Sequence, residues 1–173
     1  NTQSGLRNEY IYLAGSLLAK HEIVWATGVV AVKYQHTDAL GTPVAETNAA
    51  GAVIQRSEYD PYGRLNNRPL TDGPGYTGHY QDAATGMTYM QQRYYDPAIG
   101  QFLSVDPVTA NPGDGSNFNR FKYASNNPFR YIDPDGRVDD SPDHRPGPVF
   151  SHCDPICMEG RRQIAQQEIS RAK

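Results

Sequence analysis

The chain has 173 residues, enough for one modest domain with its own core, and a formal net charge of only −3 with both signs interspersed. That balance excludes a dedicated nucleic-acid binder, which carries a concentrated basic face. Two cysteines, Cys153 and Cys157, exclude a disulfide framework for the body and leave the redox compartment open.

The 12 tyrosines, set among 16 glycines and 13 prolines, point to half-buried strands separated by turns. Asn1 to Tyr10 has neither the basic start nor the long apolar run of a signal peptide. The apolar stretch Ile23 to Val32 is too short to cross a bilayer. The chain opens mid-pattern without Met, as expected of a piece of a longer protein whose export signal lies elsewhere.

From Glu9 to about Leu65, short Tyr/Val/Ile/Leu runs alternate with turn signals. The runs are Tyr10 to Leu18, Ile23 to Tyr34, Pro43 to Glu46 and Ala52 to Tyr59. The turns are Ala14-Gly15-Ser16, Asp38-Ala39-Leu40-Gly41, Asn48-Ala49-Ala50-Gly51 and Asp60-Pro61-Tyr62-Gly63. The pattern predicts a β-meander, although Ser16 to Lys20 alone fits a helical turn equally well. Tyr34 to Gly41 echoes Ser57 to Gly63, with the two glycines 22 residues apart, the spacing of a hairpin-sized repeat. Such units bury their faces only by stacking on neighbours. Alone, the chain is therefore expected to expose apolar edges.

Met87 to Met90 and Arg93 to Tyr95 read as strands, Asn111 to Asn117 as a loop, Phe118 to Tyr123 as a short strand or helical turn, and Asn126-Asn127-Pro128 as a turn. After Gly136 the composition breaks. Val138 to Val149 reads as a protease-sensitive linker, and Asp154-Pro155 caps a short helix with Ile156, Ile164, Ala165 and Ile169 as its apolar stripe. The expected fold is all-β: repeat hairpins over residues 1–67, a compact core over 68–136, and a linker with the start of a variable segment over 137–173.

Tyr59-Asp60-Pro61-Tyr62-Gly63-Arg64 resembles the repeat that names YD proteins. Gly75-Tyr76-Thr77-Gly78-His79-Tyr80-Gln81-Asp82, Thr85 to Pro97, Gly100 to Pro107, Tyr123 to Pro128 and Ile132-Asp133-Pro134-Asp135-Gly136, in that order, resemble the Rhs repeat-associated core. The resemblance covers Gly75 to Gly136 strongly and Tyr10 to Leu65 more weakly.

It implies a bacterial, secreted or cell-surface shell of spiralling β-hairpins, related to insecticidal toxin cocoons, wall-associated proteins and teneurins. This core closes the shell around a variable C-terminal toxin, which self-cleavage after Asp-Pro-x-Gly releases. The partners implied are the rest of the shell, the enclosed toxin, an immunity protein and the proteins of a secretion route such as type VI, in contact-dependent competition. No cofactor is implied. Arg93, Asp106 and Asp133 correspond to the family's cleavage residues, with the cut at the Gly136/Arg137 junction, next to Arg137. The chain departs from its relatives in a long loop, Val108 to Asn117, and in Arg137 where they carry Leu.

Peptide hydrolysis by aspartates needs one carboxylate to activate water and one carboxylic acid to protonate the amide, and a guanidinium can hold the substrate carbonyl. The same Asp-Pro-x-Gly word is also an ordinary turn, as Asp60-Pro61-Tyr62-Gly63 illustrates within the repeats. The rival function is a surface protein whose repeats hold a partner or glycan while Asp133 merely turns the chain. His21, His36 and His79 among the tyrosines suit such a surface, or simple cross-strand packing. Cys153 and Cys157 beside His152 lack the second ligand pair of a zinc site. Asp133, Asp135, Asp139 and Asp140 do not have calcium-loop spacing.

Overall fold

The computed structural model describes residues 5–109, 113 and 118–137. The expected linker over Val138 to Val149, the expected tail helix, both cysteines, Asp139, Asp140 and most of residues 110–117 lie outside these residues. The described residues have an all-β fold, with two five-stranded antiparallel sheets that follow one another along the chain, each paired in sequence order. The first holds β1 (Leu6–Leu13), β2 (Ser16–Val24), β3 (Val30–Thr37), β4 (Pro43–Asn48) and β5 (Val53–Arg56). The second holds β6 (Gly73–Pro74), β7 (Tyr80–Gln81), β8 (Thr88–Met90), β9 (Arg93–Asp96) and β10 (Gln101–Phe102).

Local chemistry sets the hairpins. Ala14 and Gly15 both have positive φ (49° and 84°), the two-residue turn whose twist matches the strands it joins, and the helical alternative for Ser16 to Lys20 gives way to β2. The apolar run Ile23 to Tyr34 is not one strand. Gly28 (φ 67°) closes a turn in which Gly28 N donates to Val24 O (2.8 Å) and Val24 N to Val29 O (2.9 Å). Phe118 to Tyr123 is a turn region with one bridge, Lys122 to Gln101, because Phe121 N and Lys122 N bond back to Asn119 while the carbonyls of Phe121 and Arg120 accept Phe102 N and Asp106 N, so no full ladder forms.

The tight turns share one device. At Asp38, Asn48 and Asp60 the side-chain Oδ1 accepts the amides two and four residues on, and the main-chain oxygen accepts the glycine amide three residues on.

In the first sheet the strand register puts Ile11, Ala19, Tyr34, Thr47 and Val53 in one cross-strand row. The opposite face carries a ring of ion pairs in which Lys20 and Lys33 each contact Glu22 and Glu46. The second sheet has the true core: Tyr76, Met90, Tyr95, Phe102, Tyr123 and Ala124 are buried together. Ring centroids of Tyr95 and Tyr123 lie 4.6 Å apart, and Phe102 meets both edge-on. Burial pushes the Tyr76 phenol up to about 12 and those of Tyr95 and Tyr123 upward as well.

Protonated phenols donate: Tyr76 OH to Pro61 O (2.9 Å) and Tyr95 OH to Tyr62 O (2.8 Å). The Asp60 turn is thereby docked on the second core, so closely that a Cβ on Gly63 (φ 89°) would sit 2.3 Å from the Tyr76 ring. Thr77 N to Thr42 Oγ1 (3.0 Å) adds a second tie between the sheets.

The first sheet leaves Ile11, Val30, Tyr34 and Val53 exposed and has strand edges at β1 and β5. Exposed apolar faces and open edges favour self-association. The 173-residue chain expressed alone is expected to associate with rising concentration; sedimentation showing a monomer throughout would contradict this.

Candidate functional site

Arg93 opens β9 with its side chain directed inward. A guanidinium in such a place must find anions and carbonyls for its donors, because leaving them unpaired costs several kcal/mol. Arg93 is 4% exposed, and its Cζ lies 3.5 Å over the centre of the Phe102 ring. Nη2 meets Asp133 Oδ2 at 2.9 Å and Asp106 Oδ2 at 3.0 Å. Nε donates to Gly136 O at 2.6 Å, and Nη1 to Arg120 O at 3.3 Å. The structure therefore brings together all five residues singled out from the sequence, Arg93, Asp106, Asp133, Gly136 and Arg137, although the long loop after Asp106 intervenes.

Asp106 follows β10 in a loop held by its own amide to Arg120 O (3.0 Å), while its Oδ1 accepts Val108 N at 2.7 Å. Arg120 Nη2 donates to the Asp106 main-chain oxygen. Asp133 is fully buried. Its Oδ1 accepts Gly136 N (2.8 Å) and Arg137 N (2.9 Å), and Asp135 Oδ1 accepts Arg137 N as well (3.1 Å). The Gly136–Arg137 peptide is thus gripped at both ends, its oxygen by Arg93 and its nitrogen by two aspartates.

The turn sits on the β8–β9 hairpin: Gln91 Nε2 donates to Pro134 O (3.1 Å) and Gln92 N to Asp135 O (3.3 Å). Gly136 has φ 77°, and a Cβ there would come 2.2 Å from Met90 O, so no other residue lets the turn seat this deeply.

The three histidines do not form one surface. His21 pairs in register with Glu9 and Val32, and His36 Nε2 meets Thr47 Oγ1 at 3.0 Å, both in the first sheet. His79 is instead at the site. Its Nε2 lies 3.0 Å from Asp133 O, and since a carbonyl only accepts, the ring donates from Nε2. Burial lowers the His79 pKa to about 4, against a smaller upward pull from that bond and from Asp135, so the ring is neutral at ordinary pH. His79 and Arg120 were not singled out from the sequence as part of this site. His79 had a signal in the Gly78-His79-Tyr80 word; Arg120 had none. Among the described residues no group of three or more His, Cys, Asp or Glu side chains comes together to hold a metal ion, and no helix is long and apolar enough to cross a membrane.

The teneurin YD-shell family model matches residues 32–129, more than half of the chain. The chain belongs to the YD-shell family. It is 33% identical over 108 residues to the tRNA nuclease WapA of Bacillus subtilis, covering 60% of this chain and 5% of that protein. It is 37% identical over 108 residues to the double-stranded DNA deaminase toxin A of Burkholderia cenocepacia, covering 58% of this chain and 7% of that protein. Its fold matches the crystal structure of TcdB2-TccC3 with a TM-score of 0.61 and 30% identity, over 76% of this chain and 7% of that one. The chain spans only about a twentieth to a ninth of the length of the curated relatives first matched. This YD-shell segment is therefore shared by proteins whose named activities differ.

Two outcomes follow from the geometry. Arg93→Met should cost about 3–5 kcal/mol in urea unfolding, because it strands two buried carboxylates; a loss under 1 kcal/mol, the range of an exposed ion pair, would place the charges in solvent. An unfolded histidine takes its proton near the ordinary 6.5, whereas folded His79 takes it only near 4. Stability is therefore complete above about pH 6.5 and falls as the pH drops towards 4. In His79→Gln that part of the acid slope should vanish when the unfolding midpoints of both proteins are compared across this range.

Proposed function

We propose that this chain is the closing and release module of a bacterial, secreted or cell-surface YD-shell toxin, cutting itself at the Gly136/Arg137 junction to free the segment that follows. Repeat hairpins over residues 1–67 lead into the closing core over 68–136, with the released segment beginning within 137–173. The remainder of the shell and the enclosed toxin are its partners, with an immunity protein and a secretion apparatus such as type VI in contact-dependent competition.

The observation that carries the reading is the grip on one peptide bond: Arg93 Nε on its carbonyl oxygen, Asp133 Oδ1 on its nitrogen, and Asp106 on the same guanidinium. Two carboxylates against one guanidinium leave one negative charge over, which uptake of a single proton removes. In the cycle this supports, Asp106 takes a proton from water as the water oxygen bonds to the Gly136 carbonyl carbon. Arg93 stabilises the negative charge that develops on the carbonyl oxygen. Once attack has made the Arg137 nitrogen pyramidal, its lone pair replaces the N–H that it donates to Asp133 Oδ1 at 2.9 Å, and Asp133, carrying the proton, gives it to that nitrogen as the C–N bond breaks. The proton of the new Gly136 acid passes to the freed amine, leaving a Gly136 carboxylate and a charged amino terminus. Arg137 replaces the leucine of relatives without disturbing this grip, because the contacts run through its main chain.

A surface protein that binds a glycan is the second reading, favoured by Tyr80, Tyr89 and Tyr94. These lie side by side across β7, β8 and β9 and stand about half-exposed.

The test is intact mass of the full-length gene product, with Asp106→Asn and Asp133→Asn alongside. Wild type should appear as two pieces separated next to Arg137, and each variant, unable to ionise but similar in shape, should remain whole with the shell folded. An uncut wild type that binds glycan would support the second reading instead.

A further inference from the structure

We propose that His79 is a positioning residue that selects which of two turn geometries Asp133 adopts, and so aims its carboxylate at Arg93 and the Gly136–Arg137 peptide; the catalytic consequence rests on the self-cleavage reading. At Asp60, whose turn is also Asp-Pro-x-Gly, the aspartate carbonyl accepts Gly63 N at 2.9 Å, and Oδ1 accepts the amides of Tyr62 and Arg64. Asp38 follows the same scheme with Gly41, Leu40 and Thr42.

At Asp133 one donor changes. Gly136 N leaves the main-chain carbonyl and bonds Oδ1 at 2.8 Å in place of the amide two residues on, while Arg137 N keeps the place on Oδ1 that Arg64 N holds at Asp60. The carbonyl given up by the turn is the one that His79 Nε2 reaches at 3.0 Å. A buried carbonyl needs a donor. In the Asp60 turn the glycine amide fills that need; at Asp133 an imidazole from outside the turn fills it, which frees the glycine amide for the carboxylate. Oδ1 holds two amides in both turns, but at Asp133 the glycine amide is one of them, which sets the rotation of a carboxylate whose Oδ2 meets Arg93 Nη2 at 2.9 Å.

His79 suits the task because it arrives on a fixed element. It ends the short 3-10 turn Tyr76–Gly78, with His79 N bonded to Tyr76 O (3.1 Å) and His79 O accepting Gly75 N (2.8 Å). Tyr76 in turn is buried in the aromatic core. The imidazole is therefore delivered to Asp133 by the same packing that docks the Asp60 turn. Its hydrogen bond goes to the Asp133 carbonyl, so its action on the site is through the backbone of Asp133.

The experiment uses the full-length protein with its shell, comparing wild type, His79→Leu, which has no donor, and His79→Gln, whose amide Nε2 can donate to the same carbonyl. Two readouts are taken: the rate of cutting next to Arg137, and hydrogen exchange of the Gly136 and Arg137 amides, measured in an Asp106→Asn background so that every protein stays whole. His79→Leu should slow cutting at least tenfold and speed exchange of both amides at least tenfold, with exchange elsewhere in the core unchanged. His79→Gln should stay within about threefold of wild type on both. Equal exchange in all three proteins, or a Gln variant as impaired as the Leu variant, overturns the proposal. If wild type is not cut while exchange still follows the donor, the self-cleavage reading fails and the positioning role stands.

Discussion

A single guanidinium in an aromatic pocket is the constraint on which the second half of the molecule depends. Arg93 reaches Arg120, Asp133 and Gly136 at sequence separations of 27, 40 and 43 residues, and Asp106 besides. A buried cation is tolerated only when nearly every donor has a partner, and any one partner withdrawn leaves a charge or dipole uncompensated in low dielectric. The 106 loop, the 118–122 turn and the 133–137 turn are therefore not independent appendages of the sheet. Each supplies an oxygen that Arg93 requires, and the Phe102 ring beneath its plane excludes the water that would otherwise substitute.

The same chemistry explains why one sequence word can have two meanings. Asp60-Pro61-Tyr62-Gly63 and Asp133-Pro134-Asp135-Gly136 both place an acceptor side chain ahead of a proline and end on a left-handed glycine. What differs is external: Tyr76 and Tyr95 phenols take the carbonyls of Pro61 and Tyr62 in the first, whereas His79 takes the carbonyl of the aspartate itself in the second. Glycine is required at both places for closeness as much as for φ, against the Tyr76 ring in one and Met90 O in the other.

That contrast marks how much could be read in advance. Alternating Tyr/Val/Ile runs and Asx-Gly turns made the meander legible, because each hairpin is closed by its own residues. The break at Trp25 to Val29 was hidden by an unbroken apolar composition, since Val and Trp carry no turn preference and Gly28 alone gives the signal. Arg93, Asp106 and Asp133 were legible only through resemblance; composition shows neither their burial nor their convergence. His79 and Arg120 were overlooked for a definite reason: both donate to main-chain carbonyls, and a carbonyl has no letter in the sequence. Histidines 21 and 36 show the converse, polar rings that the strand register accounts for fully.

The grip on Gly136 also bears on what would follow a cut at that bond. Hydrolysis there would convert the neutral carbonyl held by Arg93 Nε into a carboxylate held by the same donor, a stronger charge-assisted contact. Glycine at this point cannot easily leave, because its Cα faces Met90 O and its amide is bonded to Asp133. The new acid would then be a third carboxylate on one guanidinium, occupying the position a second substrate carbonyl would need. Under the self-cleavage proposed above, a site built this way would act once on its own chain and be closed by its product, as a release device requires and a protease that must turn over does not.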